Sequence, residues 1–249
     1  MPYMKRNYIR SLLYNILFFG LTAAACVLCL PALLLPRKLA MGVVWAFVGC
    51  NAVLERWVLN LRYEVRGAEH LPKSGSYIVA AKHQSAYETM KLHILFRDPA
   101  IILKKELLSV PLWGWYLAKS DVIAIDRSSR KSAVESIRAG AVHMKEMGRP
   151  IVIFPQGTRV YPDTTTKEKP YKIGVARVQE ATGLPIIPMA MNAGVYWPRN
   201  AFWKSSGTVI FEFLPPIEVG MAHGALIAQL ENDIEEHSNA LMEEAKTHG

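Results

Sequence analysis

The stretch YIVAAKHQSAYETM, residues 77–90, joins two kinds of secondary structure. Its first five residues form a short apolar run, which predicts a buried strand. The later residues have the character of a helix, so His83 and Glu88 lie on either side of a strand-to-helix junction. Within one continuous helix, five residues would turn one side chain by about 500° from the other, onto a different face. The two side chains can therefore meet only if the chain turns between them.

Glu88 can serve this junction in two ways. Ser85 and Glu88 form the S-x-x-E pattern of a capping box, which predicts Ser85 as the N-cap and Glu88 at the third helical position. Alternatively, the Glu88 carboxylate orients the imidazole of His83, fixes its tautomer and raises its basicity, as a general base requires. The pair by itself does not decide between a helix cap and a catalytic pair.

Further apolar runs extend the same pattern along the chain. They predict strands at residues 100–103, 122–125, 151–154, 186–191 and 208–213. Residues 61–66 alternate apolar and charged side chains, as an edge strand does. Helical patterns lie between several of the runs, notably at residues 130–147 and 174–182. Strands that alternate with helices predict an α/β fold, with a mixed central sheet covered by helices on both faces.

The last helical pattern is amphipathic, with apolar residues near one face. These apolar residues are Leu226, Leu230, Ile234, Leu241 and Ala245. Four of its glutamates, Glu231, Glu235, Glu243 and Glu244, fall largely elsewhere. We interpret them as a solvated face.

The N-terminal part of the chain is strongly apolar. Residues 16–35 contain no charged residue, and a helix of that length would span about 30 Å, the thickness of the hydrocarbon core of a bilayer. Residues 39–54 form a second uncharged run, whose helix would span only about 24 Å. Two full crossings would place Arg37 and Lys38 on the external side, against the positive-inside tendency. These features favour a helical hairpin that enters one leaflet.

This apolar part also divides the chain. We expect residues 1–57 to form a membrane-embedded helical segment and residues 58–249 to form a globular domain. Cys26, Cys29 and Cys50 all lie in the apolar part. The first two have C-x-x-C spacing, but they lack the polar neighbours that a redox or metal site needs, so we interpret all three as small buried residues and predict no metal.

The net charge of +8 indicates anionic partners, such as phospholipid headgroups, nucleic acid or phosphorylated substrates. The apolar N-terminus favours membrane lipid among these. Nucleic acid is disfavoured, because the sequence contains no zinc finger, no RNP motif and no coiled basic region.

Two more groups of polar residues follow predicted strands. Lys104 and Lys105 come at the end of one strand. Gly157, Thr158 and Arg159 come after another, where glycine permits close approach to a ligand and arginine can bind a phosphate with two hydrogen bonds. Ligands of open α/β sheets bind outside the carboxyl ends of the strands. The cleft that these residues would share with His83 and Glu88 suits a hydroxyl acceptor that carries a phosphate.

In the order and spacing of these motifs, residues 58–216 resemble a known family, the glycerolipid acyltransferases related to bacterial 1-acyl-sn-glycerol-3-phosphate acyltransferase. The segment AIDR at residues 124–127 adds a further family feature. Four ordered blocks carry the resemblance: HQSAYE at 83–88, KKELLSVPLWG at 104–114, FPQGTR at 154–159 and IIPMAMN at 186–192.

The resemblance implies a direct transfer of an acyl group from a thioester to an alcohol. His83 would take the proton of the lysophospholipid hydroxyl, which attacks the thioester of acyl-carrier protein or coenzyme A, and Glu88 would orient His83. Lys104 or Lys105, with Arg159, would hold the phosphate of the acceptor. Neither a cofactor nor a covalent acyl-enzyme is implied.

The expected acceptor is the sn-2 hydroxyl of lysophosphatidic acid, and the expected product is phosphatidic acid. On this reading, residues 58–249 are an acyltransferase domain at the cytoplasmic face of the inner membrane, where acyl thioesters are available. Gly157 and Thr158 would shape the loop that holds the phosphate.

Two residues depart from the family pattern. The first motif of the family usually ends in Asp, where this chain has Glu88, and Gln156 stands where the third motif usually has Glu. Three alternatives stay open: another acceptor, such as lyso-ornithine lipid or lysophosphatidylglycerol; a lipid-binding relative without catalysis; and a hydrolase. A serine esterase is disfavoured because the sequence has no G-x-S-x-G motif.

Overall fold

The computed structural model describes residues 4–126 and 130–247. Two apolar helices, α1 (Tyr8–Leu28) and α2 (Arg37–Leu54), are joined by a 3-10 segment, Leu30–Leu34, and form the predicted hairpin. A π-helical turn, Glu55–Leu59, continues α2, so the expected division at residue 57 falls inside this turn.

The remaining elements belong to the sheet and its covering helices. Two short 3-10 turns, Ala68–His70 and Lys105–Ser109, lie among them. In chain order the strands and helices are β1 (Leu61–Arg66), β2 (Ile78–Ala81), α3 (Tyr87–Leu95), β3 (Ala100–Lys104), α4 (Trp113–Lys119), β4 (Ile123–Ile125), α5 (Arg130–Glu146), β5 (Ile151–Ile153), α6 (Gly174–Thr182), β6 (Ile186–Met191), α7 (Ala193–Tyr196), β7 (Gly207–Phe213) and α8 (His223–Thr247).

Within the described residues, seven strands form one mixed sheet in the order β1-β7-β6-β2-β5-β3-β4. The run from β6 to β4 is parallel, whereas β7 pairs antiparallel with β6 and parallel with β1. The mixed sheet predicted from the sequence is confirmed, and β1 is an edge strand as its alternating residues predict. Because β2, β5 and β3 are parallel neighbours, their carboxyl ends meet at one edge of the sheet.

Helices cover both faces of the sheet, as predicted. Val79 and Ala81 of β2 belong to a core that includes residues of α1 and α3. Ile78 and Ala80 point to the other face and belong to a core that includes residues of α5, α6 and α8. This opposite placement of successive residues is the ordinary alternation of a strand. The five predicted apolar residues of α8 are all buried.

The turn between α1 and α2 is fastened to the globular domain. Arg37 forms a two-pronged ion pair with Asp98, at 2.9 and 2.6 Å, and donates to the carbonyl of Ser120 at 3.0 Å. The indole of Trp45 donates to the carbonyl of Arg97 at 2.7 Å. The far end of the hairpin therefore lies against the domain itself.

The beginning of α1 is fastened to the domain as well. Ser11 Oγ lies 3.2 Å from the carbonyl of Lys204, and the buried ammonium of Lys204 donates to Asn15 Oδ1 at 2.6 Å. Asn15 also donates to the carbonyl of Phe202 at 3.1 Å. The beginning of α1 and the start of α2 thus both contact the domain, and the hairpin lies along its side.

The rest of the hairpin is open to its surroundings. Tyr8–Leu28 and Arg37–Leu59 are the two described helices that are long and apolar enough to span a membrane, with mean hydropathies of 1.9 and 1.4. Only 17% and 28% of their most apolar windows are buried within the protein. The prediction that all three cysteines are buried is wrong, since Cys50 is exposed and Cys26 and Cys29 are half-buried.

Candidate active site

His83 and Glu88 face one another across the turn that follows β2. His83 Nδ1 lies 2.7 Å from Glu88 Oε1, and the same oxygen accepts the backbone N–H groups of Gln84 and Ser85 at 2.8 Å each. The Glu88 side chain is fully buried, while His83 is 18% exposed. Because Oε1 accepts every one of these bonds, Nδ1 carries the hydrogen, and Nε2 is left as the lone-pair nitrogen.

The two interpretations of Glu88 are therefore compatible. One carboxylate oxygen both closes the turn and orients the imidazole. The expected position of Ser85 is wrong: α3 begins at Tyr87 with Ala86 as its N-cap. Ser85 Oγ accepts the N–H of Tyr87 at 3.1 Å, so the serine stabilises the turn just before the helix.

The motif after β5 supports the imidazole from a second direction. The ring of Phe154 stacks on the ring of His83, with centroids 4.0 Å apart and planes 18° apart. The backbone N–H of Val160 donates to the carbonyl of His83 at 2.7 Å. The loop that carries Gly157, Thr158 and Arg159 is thereby attached to the histidine.

A cavity of about 950 Å³ begins at these residues. Its wall includes β3 from Ile101 to Lys104, together with His83. Its walls are mainly apolar, and they are formed by residues of the domain and of the hairpin helices α1 and α2. The volume is at the upper end of the range of ordinary small-molecule sites.

Among residues 4–126 and 130–247, four with cationic side chains line this cavity: Lys104, Arg159, Lys172 and Arg199. None of them forms an ion pair with a carboxylate in the described part of the chain. Unpaired cations in a partly apolar cavity create a positive potential that attracts an anionic group. The cavity thus combines the Nε2 of His83, which can accept a proton, with side chains whose charge attracts an anion.

The two candidate lysines are separated by the structure. Lys104 lines the cavity, whereas Lys105 does not. The ammonium of Lys105 lies 3.4 Å from Asp126 Oδ2, and its side chain is 64% exposed. The structure thus places Lys104 with His83 and Arg159 and places Lys105 outside their group.

The structure explains why residue 157, in the motif FPQGTR, is a glycine. Gly157 has a φ of +70°, which favours glycine, and Thr158 beside it also lines the cavity. A Cβ at Gly157 would come within 3.0 Å of Lys172 Nζ. The missing side chain therefore leaves room for the ammonium of Lys172 beside the loop.

Two of the cavity cations, Lys172 and Arg199, are absent from the sequence prediction. Lys172 ends a long polar loop and Arg199 follows the short helix α7, so neither stands directly after a predicted strand. Only a rule that scanned every loop near the strand ends would have found them. Arg127, in the further segment that the resemblance includes, lies outside the described residues.

Gln156 has a role that the usual glutamate could not fill. Its Nε2 donates to the carbonyl of Lys169 at 3.0 Å, and its side chain is buried. A carboxylate has no hydrogen to donate to that carbonyl. The departure from the family pattern therefore accompanies a local bond that closes the loop after β5.

His93 of α3 also lines the cavity. Burial is the main factor that lowers its pKa from 6.5 to about 4, and Arg149 and Arg37 lower it further while Asp98 raises it. Its Nδ1 is buried and has no hydrogen-bond partner among residues 4–126 and 130–247. At neutral pH the His93 side chain is consequently uncharged.

Sequence comparison identifies relatives with named activities. The chain is 39% identical over 156 residues to a 1-acyl-sn-glycerol-3-phosphate acyltransferase of Pseudomonas aeruginosa, covering 63% of this chain and 59% of the relative. It is 30% identical over 203 residues to an enzyme of the same name from Saccharomyces cerevisiae, covering 80% of this chain and 64% of the relative. The chain thus spans about three fifths of the length of these two relatives.

The fold also resembles a solved structure, the 1-acyl-sn-glycerophosphate (LPA) acyltransferase PlsC from Thermotoga maritima. The TM-score is 0.72 at 21% identity, over 94% of this chain and 97% of that chain. Residues 62–192, more than half of the chain and including His83, Glu88 and Arg159, match the model of the family described as Acyltransferase. The chain therefore belongs to the acyltransferase family.

Proposed function

We propose that the protein is a membrane-associated O-acyltransferase that moves a fatty acyl group from a thioester to the sn-2 hydroxyl of lysophosphatidic acid, with phosphatidic acid as the product. The observation that carries this proposal is the oriented His83–Glu88 pair at a cavity lined by cations that have no carboxylate partner among the described residues. The names of the relatives support the same acceptor.

In this reaction His83 Nε2 accepts the hydrogen of the acceptor hydroxyl as the oxygen attacks the thioester carbonyl. The tetrahedral intermediate then releases the thiolate, and the imidazolium donates that proton to its sulfur. Glu88 keeps Nδ1 protonated and stabilises the positive charge that forms on the ring. The proton therefore moves from alcohol to thiol through one nitrogen, and no covalent acyl-enzyme is needed.

The cations and the apolar walls of the cavity would bind different parts of the substrate. Lys104 and Arg159, joined by Lys172 and Arg199, would hold the phosphate of the acceptor, since arginine and lysine both bind phosphate strongly. The apolar walls would hold acyl chain. A phosphate-bearing acceptor explains these cations better than lyso-ornithine lipid, whose headgroup has no phosphate.

The hairpin would attach the protein to one leaflet of the membrane. Its exposed apolar side chains include Ile9, Leu28, Leu34, Leu39 and Trp57, each more than half exposed. The ion pair of Arg37 with Asp98 favours this arrangement over two crossings, because it holds the turn of the hairpin beside the domain. The active site would then face the cytoplasm, where acyl-carrier protein and coenzyme A thioesters are available.

The test is transfer of a labelled acyl group by purified protein in detergent. Both thioester carriers are offered, with lysophosphatidic acid, lysophosphatidylglycerol and lyso-ornithine lipid as acceptors. We expect the wild type to label phosphatidic acid, and His83→Ala to lose at least about 100-fold in rate. His143→Ala, which changes an exposed histidine of α5, is the matched control and should keep its rate.

Each other outcome of this assay would indicate a different function. Faster transfer to another acceptor would show that lysophosphatidic acid is not the substrate. Release of free fatty acid without acceptor would indicate a hydrolase. Binding of lysolipid without any transfer would indicate a lipid-binding relative.

A further inference from the structure

Lys82, the residue before His83, is buried beneath the active site. It is 1% exposed, and its side chain points to the opposite face of the sheet from His83, because successive residues of an extended chain alternate. Its ammonium donates to Glu235 Oε2 at 2.6 Å and to the carbonyls of Pro162 and Thr164 at 3.2 and 3.3 Å. A buried ammonium needs such partners, since burial without them is strongly unfavourable.

Glu235 joins this lysine to a second part of the same loop. Its other oxygen, Oε1, accepts the hydroxyl hydrogen of Tyr171 at 3.0 Å. Glu235 lies on α8, where the sequence pattern indicates a solvated acidic face, yet its side chain is only 15% exposed. One carboxylate of the C-terminal helix therefore binds both Lys82 and Tyr171.

The contacts of this ion pair all converge on the loop between β5 and α6. Pro162 and Thr164 lie shortly after Arg159, and Tyr171 lies directly before Lys172. The base of the loop is closed separately, by the Lys172 N–H to the carbonyl of Pro155 at 3.1 Å. The loop thus has one fixed point near each of its cavity cations.

We propose that Lys82, Glu235 and Tyr171 are positioning residues that hold Arg159 and Lys172 where the phosphate of the acceptor binds. This inference rests on the proposed function. None of the three lines the cavity, so they act only through the loop. Misplacement of a substrate-binding group by about 1 Å can reduce catalysis about 100-fold, so a small displacement of the loop has a measurable effect.

The kinetic test compares Lys82→Met, Glu235→Leu and Tyr171→Phe with the wild type. We expect the KM for lysophosphatidic acid to rise by about 10- to 100-fold in the first two and by less in Tyr171→Phe, which loses one bond. The kcat and the KM for the thioester should stay within about twofold. Glu236→Gln, an exposed acid beside Glu235 on α8, is the matched control and should change none of these.

A second variant separates positioning from stability. Removing one partner of a buried ion pair destabilises a protein strongly, whereas replacing both by apolar residues is often neutral. The double variant Lys82→Met/Glu235→Leu should therefore regain thermal stability and still show the raised KM for the acceptor. Recovery of the KM together with stability would overturn the proposal, and so would equal losses in kcat and in both KM values.

Limited trypsin digestion provides a readout that does not depend on activity. Lys167 is exposed in the middle of the loop, and we expect cleavage after it to be at least tenfold faster in the double variant than in the wild type. Unchanged cleavage would show that the ion pair does not hold the loop. If the wild type transfers no acyl group, the proposed function fails, and the digestion alone still decides whether Lys82 and Glu235 fix the loop.

Discussion

At the scale of single residues, the carboxylate of Glu88 explains why the sequence left two interpretations open. The capping pattern and the catalytic pattern require the same group at the same position, and a single oxygen serves both. Sequence spacing gives the identity of the acid but not the number of bonds that it accepts. Only the path of the backbone between His83 and Glu88 brings those donors to one point.

This double role leads to a prediction for Glu88→Gln. The amide oxygen can still accept the two backbone N–H groups, so the thermal midpoint should fall only slightly. The negative charge that stabilises the imidazolium is lost, and we expect kcat to fall by about 10²- to 10⁴-fold. Glu88→Asp is the control that keeps the charge, and a Glu88→Gln variant of wild-type rate would contradict the proposed role of the pair.

The neighbouring lysines offer a matched pair of variants. Lys104→Ala removes a cation of the cavity, and we expect the KM for lysophosphatidic acid to rise by about tenfold or more. Lys105→Ala removes a largely exposed lysine near Asp126 and should leave the KM within about twofold. Steady-state kinetics of both variants check this, and equal effects would mean that the cavity does not separate the two lysines.

Gln156 provides a prediction about stability. Gln156→Glu would place a buried carboxylate against the carbonyl of Lys169, with no hydrogen to donate. We expect the free energy of unfolding to fall by about 1–3 kcal/mol at pH 7. Urea unfolding measures this, and a Gln156→Glu variant as stable as the wild type would show that the bond to Lys169 contributes little.

At the scale of elements, the strands were the most predictable part of the fold. Short apolar runs bounded by polar residues gave the core strands, because strands buried on both faces need apolar residues throughout. The reversal of direction between β6 and β7 was not predictable, since it depends on where the connection after Asn192 leads the chain. The π-helical turn Glu55–Leu59 was missed as well, and in it Glu55 pairs with Lys91 of α3, a tertiary contact.

The hairpin yields a prediction about membrane topology. In a background with its three cysteines replaced by serine, Lys38→Cys at the hairpin turn and Lys167→Cys in the loop after β5 are labelled separately in sealed vesicles. A hairpin held beside the domain places both sites on the same side of the bilayer. An impermeant thiol reagent should therefore label both or neither, and labelling of only one would indicate that the helices cross.

At the scale of the whole molecule, the parallel order of the strands accounts for what was predictable of the site. His83, Lys104 and Arg159 each follow a strand, and β2, β5 and β3 are neighbours, so the ends of these strands meet. Lys172 and Arg199 reach the same cavity from loops with no strand directly before them. Their positions depend on how the loops fold back over the sheet. The local sequence pattern does not indicate this path.

Stability as a function of pH should reflect His93. Its pKa is about 4 in the folded protein and about 6.5 in the unfolded chain. The unfolded chain therefore binds the proton first, and stability falls as the pH drops from about 6.5 towards 4, by about 3 kcal/mol at most. Chemical unfolding at several pH values checks this. A His93→Leu variant should have a flatter profile, and an equal slope in both proteins would contradict the assignment.

The position of α1 and α2 has a consequence for the integrity of the cavity. Phe18, Thr22, Val44 and Phe47 of these helices are themselves walls of the cavity. A fragment trimmed at residue 58 to improve solubility would therefore lack one side of its binding chamber and admit bulk water to it. Under the proposed function, attachment to the membrane and acyl transfer therefore depend on the same two helices, and neither property could be kept by removing them.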